Sequence, residues 1–239
     1  MRTTTANFYK RKNDIEWRSH EPSRLETFSD AVFAFAVTLI IVSLEVPKTF
    51  TELYETMKGT ISFAVCFAVL FNLWNSQNIF FRRYGLNDAW TVALNGILLF
   101  VVLVYVYPLK FLAGLLFFNN SYELNGHTFE MIKSVQTPTL MVIYGTGFAV
   151  INLLYLLMYI NALKHKKELK LNELEVYITK TELYMYLILL IIGATAILLA
   201  LLLPLDYAGE SGVFYMTIPV AFTVWFSIRG AAVRKKFKV

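Results

Sequence analysis

Arg24, Ser29 and Asp30 stand at the mouth of an apolar run. In the following stretch from Ala31 to Val42, Thr38 is the one side chain that can hydrogen-bond. An ionised carboxylate at a membrane edge is costly unless paired or hydrated, so its presence is a functional hypothesis by default. A hydroxyl at mid-membrane depth is of no use toward lipid. Its purely structural role would be a bond to the carbonyl four residues back, at Ala34. A second polar cluster, Asn72, Trp74, Asn75, Ser76, Gln77 and Asn78, interrupts a later apolar run. Amide side chains at such a depth hydrogen-bond across helices. Arg24 and Asp30 are too far apart in sequence for a good same-helix pair. Each is expected to find its partner on another helix, with amides of the later cluster satisfying one of them. The alternative is that those amides sit in the hydrated interface.

Other chemistries find no support. The chain has no Gly-rich phosphate loop, no His-Glu-x-x-His and no Gly-x-Ser-x-Gly. Its three histidines (His20, His127 and His165) fall in expected loops or the N-terminal arm, so no cluster inside an apolar run could hold a catalytic metal. No enzyme and no cofactor are expected. Cys66 is the sole cysteine, which excludes an intramolecular disulfide. The Thr-Val-Gly-Tyr-Gly filter of ordinary potassium channels is also missing.

The elements that must position these residues are membrane helices. The 239-residue chain is 57% hydrophobic, with a mean hydropathy of +0.54, against about 45–50% apolar in a soluble domain. Runs long enough to cross a core of about 30 Å lie at roughly 27–46, 58–81, 89–111, 139–162, 183–205 and 211–233. The expected fold is therefore an all-α membrane protein with six transmembrane helices. It divides into an N-terminal arm (1–22), a transmembrane domain (23–233) and a basic tail (234–239). Eighteen of the 22 Lys and Arg fall on one side, in the arm, at Arg82 and Arg83, between Lys164 and Lys180, and from Arg229 onward. The positive-inside rule then puts both termini in the cytoplasm. Basic clusters directly against apolar spans read as topology, so no nucleic-acid partner is expected.

The first span is the least lipid-like. At 100° per residue, Phe35, Thr38, Leu39 and Val42 share an arc of about 100°. Ser23 and Glu26 have the spacing of a capping box at its start. In the third span Pro108 is expected to kink or end the helix. Gly145 and Gly147 in the fourth suit close helix packing. The fifth span, almost pure hydrocarbon from Leu187 to Leu203, is expected at the periphery.

The pattern Arg24-x-x-x-Phe28-Ser29-Asp30, followed by Ala34-Phe35-Ala36-Val37-Thr38-Leu39, resembles the signature of the lysosomal potassium channel family of the transmembrane-protein-175 type, in its short bacterial form. The resemblance implies a homotetramer in a bacterial plasma membrane, with potassium ions as the permeant species and the lipid bilayer as its other partner. It implies a pore lined by the first helix through Phe35, Thr38, Leu39 and Val42, with Thr38 at the position tied to ion selection. It also implies a structural polar network of Arg24, Phe28, Ser29 and Asp30, joined here by Asn75, Gln77 and Asn78. Two departures stand out. The family usually has an aliphatic residue where this chain has Phe35, and many relatives have histidines where it has Gln77 and Asn78. A rival reading is a proton- or sodium-coupled secondary transporter with Asp30 as its ion site. Against it, the chain shows no paired repeats and no clear broken helices.

Overall fold

The computed structural model describes residues 15–19, 21–42, 48–58, 60–117, 121–124 and 127–237. Its helices are α1 (Arg24–Val42), a short α2 (Phe50–Lys58), α3 (Thr60–Tyr84), α4 (Ala89–Phe117), α5 (Thr137–Lys164), α6 (Glu173–Leu202) and α7 (Thr217–Phe237). A small antiparallel hairpin, Ser121–Leu124 with His127–Glu130, follows α4. A 3-10 segment, Leu205–Met216, leads into α7. Five segments are long and apolar enough to cross a membrane: 60–84, 89–115, 134–164, 173–202 and 207–233. The sixth expected span is α1. It is described over 19 residues, about 28 Å at 1.5 Å per residue, and carries three charged residues in its first two turns. The protein is thus a multi-pass membrane protein whose spans are all helical.

Local chemistry explains where the helices begin and end. The expected capping box at α1 is formed: the Glu26 amide donates to Ser23 Oγ at 3.2 Å, and the Ser23 amide to Glu26 Oε1 at 3.0 Å. A second box caps α6. There the Glu175 amide donates to Asn172 Oδ1 (2.8 Å) and the Asn172 amide to Glu175 Oε2 (2.9 Å). This box starts α6 at Glu173, ten residues before the apolar run that marked the fifth span. At the end of α3, Gly85 takes a left-handed conformation (φ +59°) that a side chain would strain.

Pro108 does not end α4, which continues to Phe117. Two tyrosines hold that stretch against α5. Tyr105 donates to the Tyr144 carbonyl (2.6 Å), and Tyr144 donates back to the Pro108 carbonyl (2.8 Å). The two glycines of α5 permit this closeness. A Cβ on Gly147 would lie 2.0 Å from the Tyr105 ring, and one on Gly145 would lie 2.4 Å from Ile197 of α6. The fifth span is not peripheral, because α6 buries Met185, Leu189, Ile192, Ala196 and Ala200 and packs along α5. The outermost span of the chain is α7, with 6% of its apolar window buried. It also extends through residues 234–237, so the described part of the expected tail is helical.

Candidate functional site: the first helix and its anchors

α1 packs against α3 and α4 at one edge of the bundle, and its two faces are sharply different. Ser29, Phe33, Ala36 and Ile40 are buried. Arg24, Phe28, Ala31, Phe35 and Thr38 are exposed, Phe28 at 61% and Phe35 at 56%. Thr27, Asp30, Ala34 and Ile41 are exposed as well, and within this broad face the five form a stripe spaced four, three, four and three residues apart. That is the 3.5-residue repeat of helices that pack along one another. Leu39, expected on the same face, is half-buried and packs into the core. It is one helical step from Thr38, which turns it toward the bundle. The side chain of Val42 lies outside the described residues. The Thr38 hydroxyl donates to the Phe35 carbonyl at 2.7 Å, three residues back rather than to Ala34. Its proton is engaged along the helix, which leaves oxygen lone pairs on the exposed face.

Both ends of α1 are tied to its neighbours. At the inner end Ser29 Oγ donates to the Leu25 carbonyl (2.7 Å) and accepts from Asn95 Nδ2 (2.9 Å). Asn95 Oδ1 in turn accepts from Gln77 Nε2. Ser29, Asn95 and Gln77 are all buried, so one hydrogen-bonded chain links α1, α4 and α3. Asp30 accepts from the indole of Trp74 on α3, Nε1 to Oδ1 2.7 Å. The partner of Asp30 is therefore on the expected helix but is not an amide. At the outer end Lys110 Nζ donates to the Ile40 carbonyl (3.3 Å), placing a cation where the helix dipole is negative.

The remaining expected members of the network have other places. Among the described residues, Arg24 makes no hydrogen bond or ion pair within the chain, and neither does the exposed Asn75. Asn78 is half-buried and lines a small polar hollow of about 250 Å³ beside Asp30, Glu26 and Arg82. Phe28 projects outward with the exposed stripe. Of the seven residues expected in the network, Ser29 and Gln77 share the buried chain and Asp30 has a cross-helix bond. The missing link was Asn95, a lone amide in an apolar run. Trp74 belongs to the polar cluster singled out in the sequence but was not expected as the partner of Asp30, and Lys110 was missed, its signal an ammonium placed among apolar residues.

A second brace comes from the N-terminal arm. Arg18 forms a bidentate pair with Glu175 of α6, at 2.9 and 3.0 Å, and donates to the carbonyls of Leu169 (2.8 Å) and Arg83 (3.2 Å). The amides of Arg18 and Ser19 donate to the Arg82 carbonyl (3.0 and 3.2 Å). The Arg82 and Arg83 carbonyls are among those left without helical partners where Gly85 ends α3. The arm thus caps α3 and fastens it to the start of α6.

Comparison with known proteins follows the same three helices. A family model described as endosomal/lysosomal potassium channel TMEM175 matches residues 24–108, which span α1, the short α2, α3 and α4 up to Pro108. A protein of Marivirga tractuosa named potassium channel is 40% identical over 201 residues, covering 80% of this chain and 79% of that protein. The chain belongs to the TMEM175 family. Its fold superposes on a crystallised variant of the potassium channel MtTMEM175, in complex with a nanobody–MBP fusion. The TM-score is 0.77 at 36% identity, over 94% of this chain and 98% of that one. A protein from Chamaesiphon minutus, described as a homologue of the lysosomal potassium-selective channel TMEM175, shares the fold. Its TM-score is 0.55 at 21% identity, over 89% of this chain and 99% of the other. In this member of the TMEM175 family, the buried Gln77–Asn95–Ser29 chain lies wholly inside the region the family model matches.

Proposed function

We propose that this chain is a potassium-favouring cation channel, conducting passively through a pore that α1 lines in a homotetramer. The observation that carries the reading is the exposed stripe of α1, an apolar face on a 3.5-residue repeat with one hydroxyl, Thr38, whose oxygen is presented outward. Lipid gains nothing from such a hydroxyl. Four copies facing one axis would form a ring of oxygens that replaces part of the hydration of a passing potassium ion. Phe35, one turn before it, would form an apolar constriction that bars ions when narrow or dewetted. With no permanent charge at the ring, binding is weak and release is easy, and discrimination against sodium is modest. The channel names of the Marivirga tractuosa and MtTMEM175 relatives support the reading.

The orientation that accompanies it has cytoplasmic N- and C-termini in a bacterial plasma membrane. In its support, the arm, the Arg82–Arg83 end of α3 and the basic α5–α6 loop meet at one end of the bundle. The Asp30 carboxylate serves as an anchor to Trp74.

The test uses purified protein in liposomes loaded with potassium and placed in sodium medium. Potassium efflux is expected with no imposed proton or sodium coupling gradient, and Thr38→Val should lower the potassium-to-sodium permeability ratio several-fold. Flux that requires a fixed ratio of protons or sodium would establish a coupled transporter instead. An unchanged ratio in Thr38→Val would remove Thr38 from the filter.

A further inference from the structure

Away from α1, the long helices border a partly open cavity of about 560 Å³. α3, α4, α5, α6 and α7 all contribute to its wall, and α1 does not. Most of the lining is hydrocarbon and aromatic, typified by Val69, Leu189 and Phe222. Three polar side chains, Asn72, Ser76 and Glu182, share one end of it. Asn72 and Ser76 lie on the Arg82 side of Val69 along α3, and Glu182 precedes Leu189 along α6, so this polar end faces the arm. Among the described residues none of the three makes a hydrogen bond or an ion pair. Of the other polar groups of the wall, Asn152 donates to the Phe148 carbonyl, Tyr155 to the Leu73 carbonyl and Tyr105 to the Tyr144 carbonyl. Arg83 attracts the Glu182 carboxylate electrostatically but is not part of the wall.

A carboxylate, an amide oxygen and a hydroxyl oxygen converging on an apolar cavity form an amphipathic mould. All three accept hydrogen bonds, and an ammonium donates three. The volume falls within the range of small-molecule sites, which in bundles form between helices. We propose that the cavity binds an amine-headed amphiphile. Its ammonium is held by Glu182 with Asn72 and Ser76, and its hydrocarbon tail lies along Val69, Leu189 and Phe222. The carboxylate selects a cationic head over an anionic one of equal tail length. The site stands apart from the exposed face of α1, so an occupant binds without entering that face. The inference does not depend on α1 lining a pore.

The test measures binding directly. The purified protein in nanodiscs of zwitterionic lipid is photolabelled with a decylamine carrying a diazirine in its tail, and the labelled residues are mapped by mass spectrometry. Saturable labelling of the α3, α6 and α7 wall is expected, competed by decylamine and not by decanoate. Glu182→Gln should weaken the apparent affinity at least tenfold while leaving labelling by the matching alcohol unchanged. Val69→Trp should narrow the cavity and lower labelling of its wall by both probes. Labelling confined to other surfaces, equal labelling of Glu182→Gln and wild type, or equal competition by decanoate would each overturn the proposal. Should Glu182→Gln fail to fold, Val69→Trp decides, since undiminished wall labelling there refutes the site.

Discussion

Asn95 is the middle link of the buried chain that ties α1 to α3 and α4. It accepts from Gln77 and donates to Ser29, and all three are buried. Asn95→Ala leaves a donor and an acceptor unpaired, at a cost of about 1–3 kcal/mol for each buried group. The expected outcome is a lower thermal midpoint in detergent, and an unaltered midpoint would count against the network. Asp88, just outside the membrane part of α4, offers a pH-dependent test. Burial pushes its carboxyl up. Hydrogen bonds from the Thr91 hydroxyl, from Asn161 and from the Thr91 amide outweigh that and hold it below the usual aspartate range. A carboxyl depressed in the folded state adds stability above its unfolded pKa and loses it as pH falls through the folded one. Stability is therefore expected to decline as pH drops below about 4. Asp88→Asn should flatten that part of the midpoint-versus-pH curve.

At the scale of elements, the arm behaves as a brace. The Arg18–Glu175 pair has side chains only 13% and 2% exposed, and breaking a buried pair from one side leaves the other charge uncompensated. Arg18→Ala is expected to destabilise by about 3 kcal/mol and to raise hydrogen exchange at the start of α6 and the end of α3. Exchange that rises only within residues 15–19 would show that the arm is not a brace. Capping boxes were legible in the spacing of Ser23 and Glu26. The early start of α6 was not, because its first turns, Glu173 to Glu182, are too polar for a hydropathy count. Pro108 was misleading for a similar reason. Local propensity opposes proline inside a helix, yet tertiary packing against α5 carries α4 through it.

At the scale of the whole molecule, the proposed tetramer explains why α1 lies at an edge with its 3.5-residue stripe uncovered. Native mass spectrometry of the protein released from nanodiscs is expected to show four chains. Paired Cys66→Ala and Phe35→Cys substitutions should give disulfide-linked dimers under mild oxidation. A monomer that still conducts potassium would refute the arrangement.

Composition and charge determined much by themselves. The excess of apolar residues required lipid as a solvent, the length of the runs set the number of helices, and the lopsided basic residues implied one orientation. These are sums over many residues, so no single contact alters them. The Arg24–Phe28–Ser29–Asp30 motif also marked the helix whose Ser29 and Asp30 make cross-helix hydrogen bonds. Tertiary structure alone decided which neighbour each polar side chain meets. It gave Asp30 to Trp74 rather than to an amide, inserted Asn95 between Ser29 and Gln77, turned Leu39 inward, and put Arg18 on Glu175. Such pairings depend on helix rotation and depth to within an ångström or two. Those are set by how glycines, tyrosines and buried side chains from distant parts of the chain interlock.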